Sequence, residues 1–121
     1  VAMGVCNLDV GQTTIVKDGV VVAVEGIDGT NATIKKRKKI CGKGAIVIKV
    51  AKENHDMRFD IPVIGMRTIK VMKKAGISVL SVQAGRTVIL NLPKVVEKAE
   101  AAGISIVAVE TKYPIAPVAK I

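Results

Sequence analysis

Aromatic side chains are almost missing: the chain has no Trp, a single Phe (Phe59) and a single Tyr (Tyr113) in 121 residues. A core built on packed rings is not expected, and the shortage of rings to stack on bases counts against nucleic-acid binding. Histidine occurs once, at His55, so a zinc centre built on histidines is not expected. The two cysteines, Cys6 and Cys41, fit neither a metal-ligand nor a thioredoxin spacing and read as free thiols in a reducing cytosol. There is no G-x-S-x-G elbow, no workable Ser-His-Asp order, no Walker motif and no Rossmann fingerprint. The longest stretch without charge, Ala75 to Gly85, is far too short to span a bilayer, and no secretory signal is visible. Acids are scarce as well, ten against nineteen basic residues.

What is present is aliphatic. Half the residues are hydrophobic, mostly Val, Ile and Ala, a mixture suited to a sheet of β-branched residues covered by helices. The length fits one domain with a core of its own. A formal charge of +9 attracts phosphates, nucleic acids or anionic headgroups. The first residue is Val rather than Met, so the chain reads as a processed or excised piece of something longer.

Thr13 to Val16 and Val20 to Glu25 are β-rich runs around Lys17-Asp18-Gly19, a strong hairpin signal because Asp and Gly both tolerate positive φ. After Glu25, Asp28 or Thr30 can cap a helix over about 30–40 whose body carries the basic run Lys35 to Lys39. Ala45 to Val50 reads as a strand buried on both faces. Beyond Gly65 the period is helical, with Ile69, Met72 and Ala75 on one stripe and Gly76 as the stop. Ser78 to Val82 and Thr87 to Leu90 read as strands. Asn91 and Pro93 then open a helix over 92–102, with Val95, Ala99 and Ala102 inward, followed by the strand Ile104 to Val109. Strand 87–90, helix 92–102 and strand 104–109 suggest a right-handed crossover. "AGISVLSV" at Ala75 and "AGISIVAV" at Ala102 are near copies, each closing a helix and opening a strand. The expected fold is α/β, one domain with a mixed β-sheet flanked by about three helices, over residues 1–111. Residues 112–121, with two prolines, form an extended tail. The expected core contains Val47, Ile69, Met72, Val79, Val82, Ile89, Ala99 and Val107.

Five of the ten acids fall at strand ends or beside Gly and Pro turns: Asp9, Glu25, Asp28, Asp56 and Asp60. A rigid sheet presents ligand-binding side chains at such places, and Mg²⁺ needs only one or two carboxylates plus substrate phosphates. The alternative for each acid is a helix cap or a pairing with a cation. "DGTN" at Asp28 to Asn31 offers helix N–H groups to a phosphate, or is an ordinary cap. "KKRKK" covers more than one helical turn, so it reads as a solvated face, or as a contact for an anionic membrane or nucleic acid.

Three stretches, "DVGQTTIVKDGVVVAVEGIDGTNATI", "VIKVAKENHDMRFDIPVIG" and "AGISVLSVQAGRTVIL", resemble the C-terminal domain of the UDP-2,3-diacylglucosamine pyrophosphatases of the lipid A pathway. That family was formerly catalogued as a domain of unknown function and is distinct from the calcineurin-like enzymes of the same step. The resemblance implies a Mg²⁺-dependent hydrolase giving UMP and 2,3-diacylglucosamine 1-phosphate. It implies an active site shared with an N-terminal domain that this chain does not contain, and an essential aspartate, carried first onto Asp60 and then onto Asp56. The implied metal set is Asp60, Asp56 and Asp28. The implied substrate-binding set is Gly29, Thr30, Lys49, Lys52, Arg58 and Gln12. Asn31 and Gln83 stand where the family pattern leads one to expect acids, and His55 where it leads one to expect an amide. The expected partners are the UDP-linked diacylglucosamine, the N-terminal domain and the inner membrane as a peripheral contact, in the cytoplasm; a homodimer is left open and nucleic acid is not expected. The competing reading is a non-catalytic basic module binding RNA, an anionic membrane or a protein.

Overall fold

The computed structural model describes residues 2–7, 12–40, 44–51 and 62–110. Strand β1 (Thr13–Lys17) turns through Asp18-Gly19 into β2 (Val20–Val24). Both turn residues have positive φ, 51° and 78°, the conformation that lets a two-residue loop follow the right-handed strand twist. β3 (Ala45–Lys49) pairs antiparallel with the other side of β1. β5 (Val79–Gln83) and β7 (Ser105–Val109) add in parallel, giving the order β2-β1-β3-β5-β7. The expected mixed α/β fold is observed.

Three helices cover one face: α2 (Gly29–Lys36), α3 (Met66–Ala75) and α4 (Leu92–Ala101). They place Ile34, Ile69, Met72, Val95 and Ala99 against Ile15, Val47, Leu80 and Val82 of the sheet in one core cluster. Full burial of each large aliphatic side chain contributes about 1.5–3 kcal/mol. The repeated Ala-Gly-Ile-Ser segments work as identical helix stops. Gly76 and Gly103 take φ of 73° and 70°, while the N–H of Ile77 donates to Met72 O and that of Ile104 to Ala99 O. Each of these isoleucines is then buried, so the stop also fixes the entry of the next strand.

Several expectations are corrected. α2 ends at Lys36, and Arg37 to Ile40 continue as turns with i→i+3 bonds. Five adjacent cations provide no apolar stripe to hold a further turn on the sheet, and their repulsion opposes one. Asp28 and Asn91 occupy the cap positions of α2 and α4, but neither side chain makes a capping bond. A short α1 (Ala2–Asn7) covers part of the opposite sheet face, burying Ala2 and Cys6 with Val50. Six residues without a cap signature gave no sequence signal for it. β3 is therefore unevenly covered: Ala45, Val47 and Lys49 are buried and Ile46 and Ile48 only partly.

Residues 87–90 do not enter the main sheet. β6 (Val88–Ile89) pairs in parallel with β4 (Val63–Ile64), and the bonds from Val88 N–H to Pro62 O and from Leu90 N–H to Ile64 O extend the pair. The crossover through α4 thus joins β5 to β7. Val47, Ile69, Met72, Val82 and Ala99 are buried as expected, and Val79 and Ile89 are half-buried. Val107 is 45% exposed because β7 is an edge strand and Val107 faces away from the helices. Cys41 and the tail lie outside the described residues.

Leu80→Ala should cost about 2–5 kcal/mol in chemical denaturation, whereas Val107→Ala should stay within roughly 0.5 kcal/mol of the parent. Gly103→Ala, with open space around the new methyl but a left-handed backbone, should lose about 1–2 kcal/mol from conformation alone.

Candidate functional site

Because β2, β3, β5 and β7 all run the same way, the helices that follow β2, β3 and β5 all begin at one end of the sheet. Side chains from the strand ends meet helix starts there. Lys49, the last residue of β3, lies two positions beyond Val47 and so points to the helix-covered face. It is only 6% exposed. Its Nζ donates to Thr30 Oγ1, in the first turn of α2, at 2.7 Å. The same hydroxyl shares a 2.9 Å hydrogen bond with Thr13 Oγ1 at the start of β1, and donates to Glu25 Oε1 at 3.4 Å. Glu25 Oε2 accepts the Gln12 N–H at 3.0 Å, and Glu25 N–H donates to Thr13 O at 2.9 Å. One hydroxyl thus couples a buried ammonium to a carboxylate across three chain segments.

A second layer flanks this cluster. Asn31 Oδ1 accepts from Thr68 Oγ1 at 3.1 Å, tying the start of α2 to that of α3. Gln83, at the end of β5, is 1% exposed and its Oε1 accepts the Ala51 N–H at 2.9 Å. Asn31 and Gln83, which replace expected acids, thus serve as neutral acceptors.

Of the residues expected to bind substrate, the structure brings Gln12, Thr30 and Lys49 together, with Gly29 opening the same helix. Gly29 O accepts the Thr33 hydroxyl at 2.8 Å. Asp28 is exposed and its carboxylate is engaged by Lys36 Nζ on the outer side of α2. The hydrogen bond from Lys36, more than its charge, holds the Asp28 carboxyl below its ordinary value of 3.8. Asp9, Lys52, His55, Asp56, Arg58 and Asp60 lie outside the described residues. The segment that contains most of them leaves from Ala51, held by Gln83, and returns at Pro62, held by Val88. Thr13, Glu25 and Gln83 were not in the expected binding set. Glu25 was marked only as a strand-end acid, and Thr13 gave no local sign, since its partners come from other segments.

The described residues alone do not form a Mg²⁺ site. No group of three or more His, Cys, Asp or Glu converges among them. Both Glu25 oxygens receive hydrogen bonds, and Asp28 is bound to Lys36. Also among the described residues, no helix is long and apolar enough to cross a membrane.

Fold and site together define a small mixed α/β domain that gathers a buried cation, hydroxyls and helix amino ends at the carboxyl edge of its parallel strands. The particular family follows from comparison: the chain belongs to the LpxI C-terminal domain family, whose model matches residues 1–107. It is similar to the UDP-2,3-diacylglucosamine pyrophosphatase LpxI of Caulobacter vibrioides, with 30% identity over 118 residues. That alignment covers 91% of this chain but 42% of the relative, so the chain spans less than half of that protein's length.

Thr30→Val and Lys49→Met should be strongly non-additive in a double-mutant cycle, with a coupling of about 0.5–3 kcal/mol in unfolding free energy. Separately, a lowered folded pKa makes the Asp28–Lys36 contribution fully present above 3.8 and lost as pH falls through the lowered value. Lys36→Ala should therefore move the NMR titration midpoint of Asp28 upward, towards 3.8.

Proposed function

We propose that this chain is the C-terminal part of a hydrolase that splits UDP-2,3-diacylglucosamine into UMP and 2,3-diacylglucosamine 1-phosphate, a step of lipid A synthesis. The observation that carries this reading is the buried Lys49 ammonium set against Thr30 at the opening of α2, in a chain of the LpxI C-terminal domain family. A pyrophosphate presents clustered negative charge. A desolvated ammonium and unpaired helix N–H groups favour such charge far more than they would in open water.

In this reading Lys49 neutralises a phosphate oxygen and the Thr30 backbone N–H, in the first turn of α2, donates to it. The Thr30 hydroxyl donates to Glu25 and accepts from Lys49, which holds the ammonium in place. Lys52 and Arg58 add clamping cations, while Asp60, with Asp56 as second choice, directs the attacking water. One water adds across the P–O–P bridge, the bridging bond breaks, and two phosphomonoesters leave. Mg²⁺ enters only through Asp56 and Asp60, whose carboxylates would hold it to offset charge on the pyrophosphate. The opposite wall of the cleft is assigned to the N-terminal domain, consistent with the 42% share of the relative. The reaction is placed in the cytoplasm.

The test uses the complete protein. Asp60→Ala should lower Mg²⁺-dependent UMP release by at least on the order of 10²-fold, with the melting temperature unchanged. A fall in melting temperature, with residual activity tracking the folded fraction, would mark Asp60 as structural. Near-normal turnover in Asp60→Ala passes the role to Asp56. If Asp56→Ala also turns over normally, the carboxylate mechanism is wrong.

A further inference from the structure

The edge of the domain formed by β2 and α2 combines two features that rarely coexist on a solvent-exposed surface. It is strongly basic: from Gly29 to Ile40 there are five cations, Lys35 to Lys39, and no acid. All five are exposed. It is also aliphatic. Val20 is 62% exposed and Ile40 47%, and Ile27 is fully exposed. These residues share one edge. β2 ends the sheet, Ile27 lies in the link from β2 to α2, and Lys17, the register partner of Val20, donates through Nζ to Ile40 O at 3.1 Å. The acids nearby are Asp18 at the hairpin, Glu25, whose carboxylate is held by the Gln12 N–H and the Thr30 hydroxyl, and Asp28, already paired with Lys36.

We infer that this β2–α2 edge is a docking surface for an anionic lipid bilayer, with the basic run on the headgroups and the aliphatic residues in the interfacial layer. Charge complementarity selects the occupant. A second copy of the chain, related by a two-fold axis, would set one run of five cations against another. Nucleic acid would use the cations but not the aliphatic residues, and the described residues contain no Phe, Tyr or Trp to stack on bases. An anionic interface uses both, because lysines near its surface gain from the surface potential while aliphatic side chains enter the acyl boundary. Docked by this side, the molecule keeps the Thr30–Lys49 end of the sheet at the rim of the contact, not beneath it. The edge would dock in this way whatever reaction the chain takes part in.

Flotation of the complete protein with phosphatidylcholine vesicles, with and without phosphatidylglycerol, tests this. Binding should require the anionic lipid and weaken as salt rises. Lys38→Ala with Lys39→Ala should lower partitioning by roughly 30-fold, from about five-fold per cation. Ile27→Ser should also lower it while leaving the salt dependence unchanged. Lys94→Ala with Lys98→Ala, on α4 at the β7 edge of the same face, should bind as the parent does. Equal loss in that control would show a net-charge effect without a surface and would overturn the inference. So would binding to neutral vesicles alone, retention by the Lys38/Lys39 variant, or tighter capture by single-stranded RNA than by anionic vesicles. Dimers that dissociate on Ile27→Ser, without vesicle binding, would overturn it in favour of a second copy. Unchanged melting temperatures confirm that the variants fold.

Discussion

The position of β1 constrains everything else. It lies antiparallel between β2 and β3, which makes those two strands parallel, with α2 as the helix between them in the chain. Each following helix must then run back across the same face, and α2, α3 and α4 all open at one end of the sheet and close at the other. The right-handed crossover preference leaves little choice once the strand directions are set. The domain consequently has two different ends. Helix amino termini, with their partial positive charge, share one end with Glu25, Lys49 and Gln83. Helix carboxyl termini share the other with Lys35, Lys36, Lys73 and Lys74.

Placing a lysine inside the first of these ends is costly unless its charge is compensated. A buried ammonium loses most of its hydration, and Lys49 on the helix-covered face is only 6% exposed. Thr30 offsets part of that loss with a 2.7 Å bond and links it onward to Glu25 and Thr13. Such a network holds three segments in one arrangement, which is also what positioning a phosphate requires. The neutral Asn31 and Gln83 keep further negative charge out of the described shell while still supplying acceptors to Thr68 and Ala51.

Charge is distributed unevenly across the helices. α3 carries Arg67, Lys70, Lys73 and Lys74 without an acid, and α2 with its following turn carries five more cations, whereas α4 balances Lys94 and Lys98 with Glu97 and Glu100. The two uncompensated helices pack side by side, joined at their starts by Thr68 and Asn31. Among the described residues, the acid-free runs of cations on α3 and on the end of α2 therefore lie on the helix-covered side, and the aliphatic residues of the β2 edge adjoin them.

Local chemistry was enough to read much of this from the residues. Asp18-Gly19 specified the hairpin because few other pairs accept two positive φ values. The stripes of Ile69 and Met72, and of Val95 and Ala99, identified buried helix faces, and the two Ala-Gly-Ile-Ser stops fixed helix ends and strand starts together. The family motifs singled out Gln12, Thr30 and Lys49. What the residues could not disclose depends on partners distant in the chain. Val107 looks as apolar as Val47, and only strand order decides that one is at an edge and the other central. Val88-Ile89 has strand propensity, but its pairing with Val63-Ile64 and not with the main sheet is a matter of tertiary placement. Likewise, no local pattern couples Thr13, Glu25, Thr30 and Lys49. Hydrogen bonds between segments up to 19 positions apart exist only once β1 has ordered the sheet around it, because propensity acts over a turn or a strand while such bonds require the closed fold.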